Sequence, residues 1–138
     1  MRKYLLPLLL VLAVGGWGAL LTGCASKGDT INQDFATTSY KTLATAGIAY
    51  STAMQTAGTM YQAGQITEAQ KTQIVLYGNA FRGAYQLAQT ALEEYVKLGS
   101  SDATLQAQTI QALADMASRL TELQGYATSI TAAVQEGK

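Results

Sequence analysis

The sequence predicts an all-α fold: an antiparallel up-down-up three-helix bundle with coiled-coil-like heptad seams. Three observations carry this reading. From about Asp34 to the end, apolar residues recur in alternating steps of three and four, the spacing that holds one helical face inward. Two short stretches, "AGQIT" and "GSSD", interrupt that period and divide it into three. No proline follows Pro7, and no sustained alternation of a β-strand occurs.

The first residues belong to something else. Met1-Arg2-Lys3 is positively charged, and "YLLPLLLVLAVGGWGALL" follows without a charged residue, the n-region and h-region of an export signal. A transmembrane helix is the competing reading, since about 18 apolar residues can just span a bilayer. Pro7 and the Gly15-Gly16 pair weaken a long unbroken helix there. The next residues, Leu21-Thr22-Gly23-Cys24, resemble the lipobox of bacterial lipoproteins, in which a branched apolar residue and two small ones precede the cysteine. That resemblance implies cleavage before Cys24, a covalent diacylglycerol on its sulfur and, in many bacteria, an N-acyl chain on the new amine. It would also account for a single cysteine in the chain. Two or more acyl chains anchor a protein stably where one does not. In Gram-negative lipoproteins an aspartate after the cysteine tends to retain the protein at the inner membrane. Ala25 and Ser26 therefore favour the periplasmic face of the outer membrane, where the source has one.

The domain plan that follows is a signal peptide at 1–23, a lipidated N-terminus and tether at 24–33, and a helical bundle at 34–138. "ASKGDTINQ" is polar and carries no apolar period, so it reads as flexible linker. The first helix, about 34–63, has its seam at Tyr40, Leu43, Gly47, Tyr50, Met54, Ala57 and Tyr61. Gly64 suits a C-terminal cap, and Thr67 with Gln70 suits a capping box. The second helix, about 67–98, places Ile74, Phe81, Ala88 and Tyr95 seven apart, with Tyr77, Ala84, Ala91 and Leu98 completing the seam. Gly78, Tyr85 and Leu92 widen its apolar face, as a central helix with two neighbours requires. Ala80, Ala84, Ala88 and Ala91 would admit a close neighbour, and the thin middle of this seam must be filled from facing helices. A serine or Asp102 caps the third helix, about 102–135, with its seam at Leu113, Met116, Leu120, Leu123, Ala127, Ile130 and Val134. Short loops make sequence neighbours antiparallel, and an apolar period near 3.5 favours a left-handed supercoil. Such seams would also serve association between chains.

Composition narrows the chemistry. Lysine plus arginine and aspartate plus glutamate each number nine, so no basic excess exists to bind nucleic acid. Charged residues are 13% of the chain, against roughly 25% in ordinary soluble domains. With no histidine and one cysteine, neither an internal disulfide nor a His/Cys zinc site is expected. The tyrosines at 40, 50, 61, 77, 85, 95 and 126 mostly lie on or beside the stripes, so they read as core rather than as a glycan-binding surface. Glu93-Glu94 reads as a solvated face near Lys97, because adjacent helical residues point about 100° apart. Asp115, Arg119 and Glu122 read as surface pairing. No phosphate loop, nucleophile elbow or metal cluster is present, and no catalytic residue or cofactor is expected. The C-terminal Lys138 is superficially similar to that of the helical murein lipoprotein of enteric bacteria, a resemblance that implies peptidoglycan attachment and is one residue deep.

These observations point to a structural or protein-interaction lipoprotein of the bacterial envelope, held through Cys24 and partnered by an envelope protein or by itself. The alternatives are a phage- or plasmid-derived lipoprotein of a lysis pair or entry-exclusion system, and a carrier of a small apolar ligand inside the bundle.

Overall fold

The structure is a computed structural model and describes residues 28–98 and 102–136. Three helices account for nearly all of them: α1 (Gly28–Gln62), α2 (Glu68–Leu98) and α3 (Ala103–Glu136). The fold is the expected all-α three-helix bundle. Helix α1 begins ahead of the sequence-based boundary, so residues 28–33, read as tether, are its first turns. Asp29 and Thr30 are residue types common near helix starts. A lack of apolar period described those residues correctly but did not make them non-helical.

The turns follow local chemistry. Gly64 takes φ +66°, the left-handed conformation that favours glycine. Its N–H donates to the Tyr61 carbonyl at 2.9 Å, and the Gln65 N–H to that of Met60 at 2.9 Å, which together form a Schellman cap. The Thr67 N–H then donates to Gln70 Oε1 at 2.8 Å, and the Gln70 N–H to Thr67 Oγ1 at 3.2 Å, closing the capping box. Between these caps Ile66 turns inward and is 5% exposed, a plug that its loop setting concealed. At the start of α3, Asp102 Oδ1 accepts the N–H groups of Thr104 and Leu105 at 2.8 and 3.2 Å.

Cross-helix pairs fix the directions. Phe35 meets Tyr95, Gly47 lies under Tyr85, Tyr50 stacks on Phe81, and Met54 reaches Gly78, so α1 and α2 are antiparallel. Tyr77 meets Tyr126 while Thr109 meets Ala91, so α2 and α3 are antiparallel too. Of the three helix pairs, α2 and α3 approach each other most extensively.

Two buried clusters stack along the axis. One gathers Leu43, Ala46, Phe81, Ala84, Ala88, Leu92, Tyr95 and Met116, so the alanine-rich middle of α2 is filled by Leu43 from α1 and Met116 from α3. The other gathers Ala57, Ile66, Ile74, Leu123 and Ile130. Fully burying a leucine or phenylalanine contributes roughly 1.5–3 kcal/mol, so these clusters hold helices whose threonines and glycines give them little intrinsic stability.

Six positions depart from the expected packing. Tyr40 is 47% exposed, while Ser39 and Ala46 are buried instead. Helix α1 faces two neighbours: its Gly47, Tyr50 and Met54 edge meets α2, and its Met60 reaches Thr131 on α3 at 3.9 Å. The stripe is therefore wider than one a/d line, and Tyr40 falls at its rim. Leu98 is 72% exposed because the packed part of α2 ends at Tyr95. Ala80 points outward and admits no neighbour. Thr109, absent from the expected stripe, is fully buried at the α2–α3 contact.

Candidate functional site

Leu21, Thr22, Gly23, Cys24 and Lys138 all lie outside the described residues. What the described residues supply is a set of surfaces on a rigid bundle. No helix among them is long and apolar enough to cross a membrane.

One such surface is an open groove of about 340 Å³ between α1 and α2, lined by Gly47, Tyr50, Phe81, Arg82, Tyr85, Gln86 and Gln89. Its floor follows from the heptad pattern, which turns Phe81 inward between Tyr50, stacked at 4.9 Å and 17°, and Tyr85, tilted at 5.7 Å. One to two turns beyond Phe81 on α2, the side-chain amides of Gln86 and Gln89 form the rim. Arg82 stands beside them, exposed and without an ion-pair partner among the described residues. Aromatic edges, two amides and one guanidinium suit a polar side chain or short segment of a partner. The groove is too open to enclose a ligand away from water.

The small residues considered as walls of an internal cavity are packing seats instead. A Cβ on Gly78 would stand 3.0 Å from Met54 Sδ and 3.4 Å from Tyr50, and one on Gly47 would stand 3.6 Å from the Tyr85 hydroxyl. Ala88 is 0% and Ala84 6% exposed, with side chains of the first cluster packed around them.

At the far end, Tyr61 donates a short hydrogen bond to Glu68, whose other oxygen lies 3.2 Å from Lys71 Nζ; that ammonium sits 4.2 Å from the Tyr61 ring centroid. The hydrogen bond to Glu68, and then its charge, raise the Tyr61 phenol above its ordinary value. The same bond, with help from Lys71, lowers the Glu68 carboxyl. All three groups face water, and the cluster ties the end of α1 to the start of α2. The other acidic residues behave as surface charges. Glu93 pairs with Lys97 at 3.8 Å, and Arg119 pairs with Asp115 at 3.7 Å and Glu122 at 3.2 Å, contacts worth a few tenths of a kcal/mol, or about 0.3–0.5 kcal/mol on a helix. Among the described residues no group of three His, Cys, Asp or Glu side chains is placed to hold a metal ion.

The tyrosines divide as burial dictates. Tyr95 is 0% exposed, Tyr50, Tyr61, Tyr77, Tyr85 and Tyr126 are half-buried, and Tyr40 faces water. They are largely core, with Tyr50 and Tyr85 contributing edges to the groove. Sequence reasoning missed the groove because its lining comes from two helices whose register was unknown. The signal available was Arg82, the one charge on α2 between Lys71 and Glu93.

A second surface is defined by what it lacks. Between Lys41 and Glu68 the chain carries no charge, and Ala44, Ile48, Ser51, Gln55 and Gly58 form an exposed line in steps of three and four along α1. The threonines beside it spend their hydroxyls locally: Thr45, Thr52, Thr56 and Thr59 donate to the carbonyls four residues back at 2.9–3.1 Å. Methyl groups, with the side chains of Ser51 and Gln55, remain to face outward. No family model, curated protein or solved structure matches this chain.

Proposed function

We propose that this protein is a lipid-anchored component of a bacterial envelope, attached through Cys24, whose bundle acts by docking another envelope protein rather than by catalysis. The observation that carries this reading is the order of the first residues: a basic start, an uncharged apolar run, and Leu21-Thr22-Gly23 directly before the only cysteine. Its site is the periplasmic face of the outer membrane where the source has one, as Ala25 and Ser26 suggest by resemblance. The docking part is supported by the groove at Tyr50, Phe81, Tyr85 and Arg82 and by the uncharged outer face of α1. An apolar-ligand carrier draws less support, because Met54, Tyr50 and Tyr85 occupy the space over Gly78 and Gly47.

Palmitate labelling of the expressed protein should disappear in Cys24→Ser, and inhibition of signal peptidase II should leave an uncleaved precursor. Labelling that persists in the mutant would refute the anchor. For docking, a photo-cross-linking residue at Gln86 or Ile48 should capture a discrete envelope protein in intact cells. A residue placed at Thr121, on an exposed part of α3 away from both surfaces, should not.

A further inference from the structure

We propose that the bundle stands end-on upon the bilayer, with the last turn of α2, at Leu98 and Val96, resting in the lipid headgroup region. This rests on the reading of Cys24 as the lipid attachment point.

The topology brings three places to one end: the start of α1, the end of α2 and the start of α3. Phe35 and Tyr95, whose rings meet edge-on at 5.1 Å, set a common level. Leu98 lies three residues beyond Tyr95, about 4.5 Å further along the axis, and Gly28 lies seven residues before Phe35, about 10 Å along it, at 1.5 Å per helical residue. Leu98 is thus within about 6 Å of the level at which α1 begins. Only Ala25, Ser26 and Lys27 separate Gly28 from Cys24, a link of at most about 13 Å at 3.3 Å per residue. An acylated Cys24 at the headgroup boundary would hold this end of the bundle, and no other, within reach of the lipid.

The same end carries apolar side chains that the core does not use. Leu98 is 72% and Val96 46% exposed, although Tyr95, directly before Val96, is 0% exposed. Two residues apart, they lie about 200° apart around α2, so no partner resting on one side of the helix covers both. A headgroup layer into which the last turn sinks end-on surrounds both. Lys97 stands between them with its side chain 74% exposed; on leaving its 3.8 Å pairing with Glu93 it is long enough to carry its ammonium to the phosphate layer. The sequence charges belonging to this end, Asp29, Asp34, Glu93, Glu94 and Asp102 against Lys27 and Lys97, are mainly acidic, which selects a zwitterionic lipid surface over an anionic one. A leucine and a valine are too few to bind a membrane unaided. Tethered by acyl chains, they meet it at high effective concentration, and their contact then sets orientation.

The test uses the full protein expressed with its own leader, purified with its lipid and reconstituted into vesicles of phosphatidylethanolamine and phosphatidylcholine. Tryptophan is introduced by Leu98→Trp or, as a mid-bundle control about 20 Å further along the axis from Phe35, by Ile48→Trp. Emission of the unsubstituted protein is subtracted. Lipids brominated near the headgroup should quench Leu98→Trp at least twofold more than Ile48→Trp. Equal quenching would mean a bundle lying flat, and quenching of neither would mean a bundle held clear of the surface; either result overturns the proposal. Mass spectrometry of the Cys24 peptide from the same sample separates the two failures. Acylation without selective quenching defeats the orientation alone, while an unmodified Cys24 defeats the anchor and the orientation with it.

Discussion

Gly78 and Gly83 stand on the same helix and carry the same intrinsic penalty, so replacing each by alanine isolates what surrounds it. Alanine in a helix interior is favoured over glycine by about 1 kcal/mol. Around Gly83 nothing lies within 4 Å of an added Cβ, so Gly83→Ala should realise that gain. For a domain of this size it corresponds to a rise in Tm of about 4–8 °C. Around Gly78 the added carbon would stand 3.0 Å from Met54 Sδ and 3.4 Å from Met54 Cε and Tyr50, tighter than ordinary van der Waals contact. The methionine must move, and overpacking typically costs about 1–3 kcal/mol, although the flexibility of the side chain keeps this near the lower end. Gly78→Ala should therefore fall from neutral to about 2 kcal/mol destabilising. Urea unfolding followed by helical circular dichroism, on the chain from residue 25, measures both. A destabilising Gly83→Ala would refute the reasoning, because it would mean that the outer face of α2 is covered in the native protein.

Three further outcomes follow from buried or capped groups. Thr109 shares its hydroxyl between the carbonyls of Ala91 at 3.1 Å and Leu105 at 2.9 Å, both of which keep helical N–H partners. Thr109→Val should thus cost about 1 kcal/mol or less, and Thr109→Leu about 1–3 kcal/mol, by the same unfolding assay. Asp102→Ala removes the cap of α3 and should cost about 1 kcal/mol, which Asp102→Ser should largely restore. Burial raises the Tyr95 phenol. The folded chain then binds more protons than the unfolded one above the ordinary phenol value, so stability falls as pH rises through that value toward the folded one. Tyr95→Phe should flatten this alkaline decline, whatever it does to stability at neutral pH. Tyr61 contributes in the same direction through Glu68.

What was legible in the sequence was whatever depends on near neighbours. The Schellman cap at Gly64, the capping box at Thr67 and Gln70, and the cap at Asp102 each involve residues a few positions apart, and each formed as the residue types predict. Ile74, Phe81, Ala88 and Tyr95, spaced by seven, are all buried. What was not legible depends on where a second helix lies. Tyr40 follows the period as well as Leu43 does, yet only the placement of the neighbouring helices decides that Ser39 and Ala46 go inward. Thr109 looks like a surface residue until Ala91 supplies a carbonyl. Ile66 sits in a turn, and only the open end of the second cluster makes it core. The groove is of the same kind, since Gly47 and Gln86 become neighbours only through the pairing of α1 with α2.

The chemistry of the outer α1 face constrains how any partner holds it. A surface threonine ordinarily offers a donor proton to a partner, but Thr45, Thr52, Thr56 and Thr59 have already given theirs to backbone carbonyls and can only accept. With no charge between Lys41 and Glu68, this face can attract a partner neither by steering nor by salt bridges. What remains is packing of Ala44, Ile48 and the threonine methyls, with neutral hydrogen bonds from Ser51 and Gln55, against an equally uncharged surface, and Gly58 open to a close approach. A complex built this way loses little when salt is added, whereas one centred on Arg82 in the groove loses affinity as its ion pair is screened. Capture through the Ile48 probe should therefore stay constant as salt is raised in permeabilised cells, while capture through Gln86 should fall. If both fall together, the two surfaces serve one electrostatically held partner, and the neutral face of α1 is a bystander.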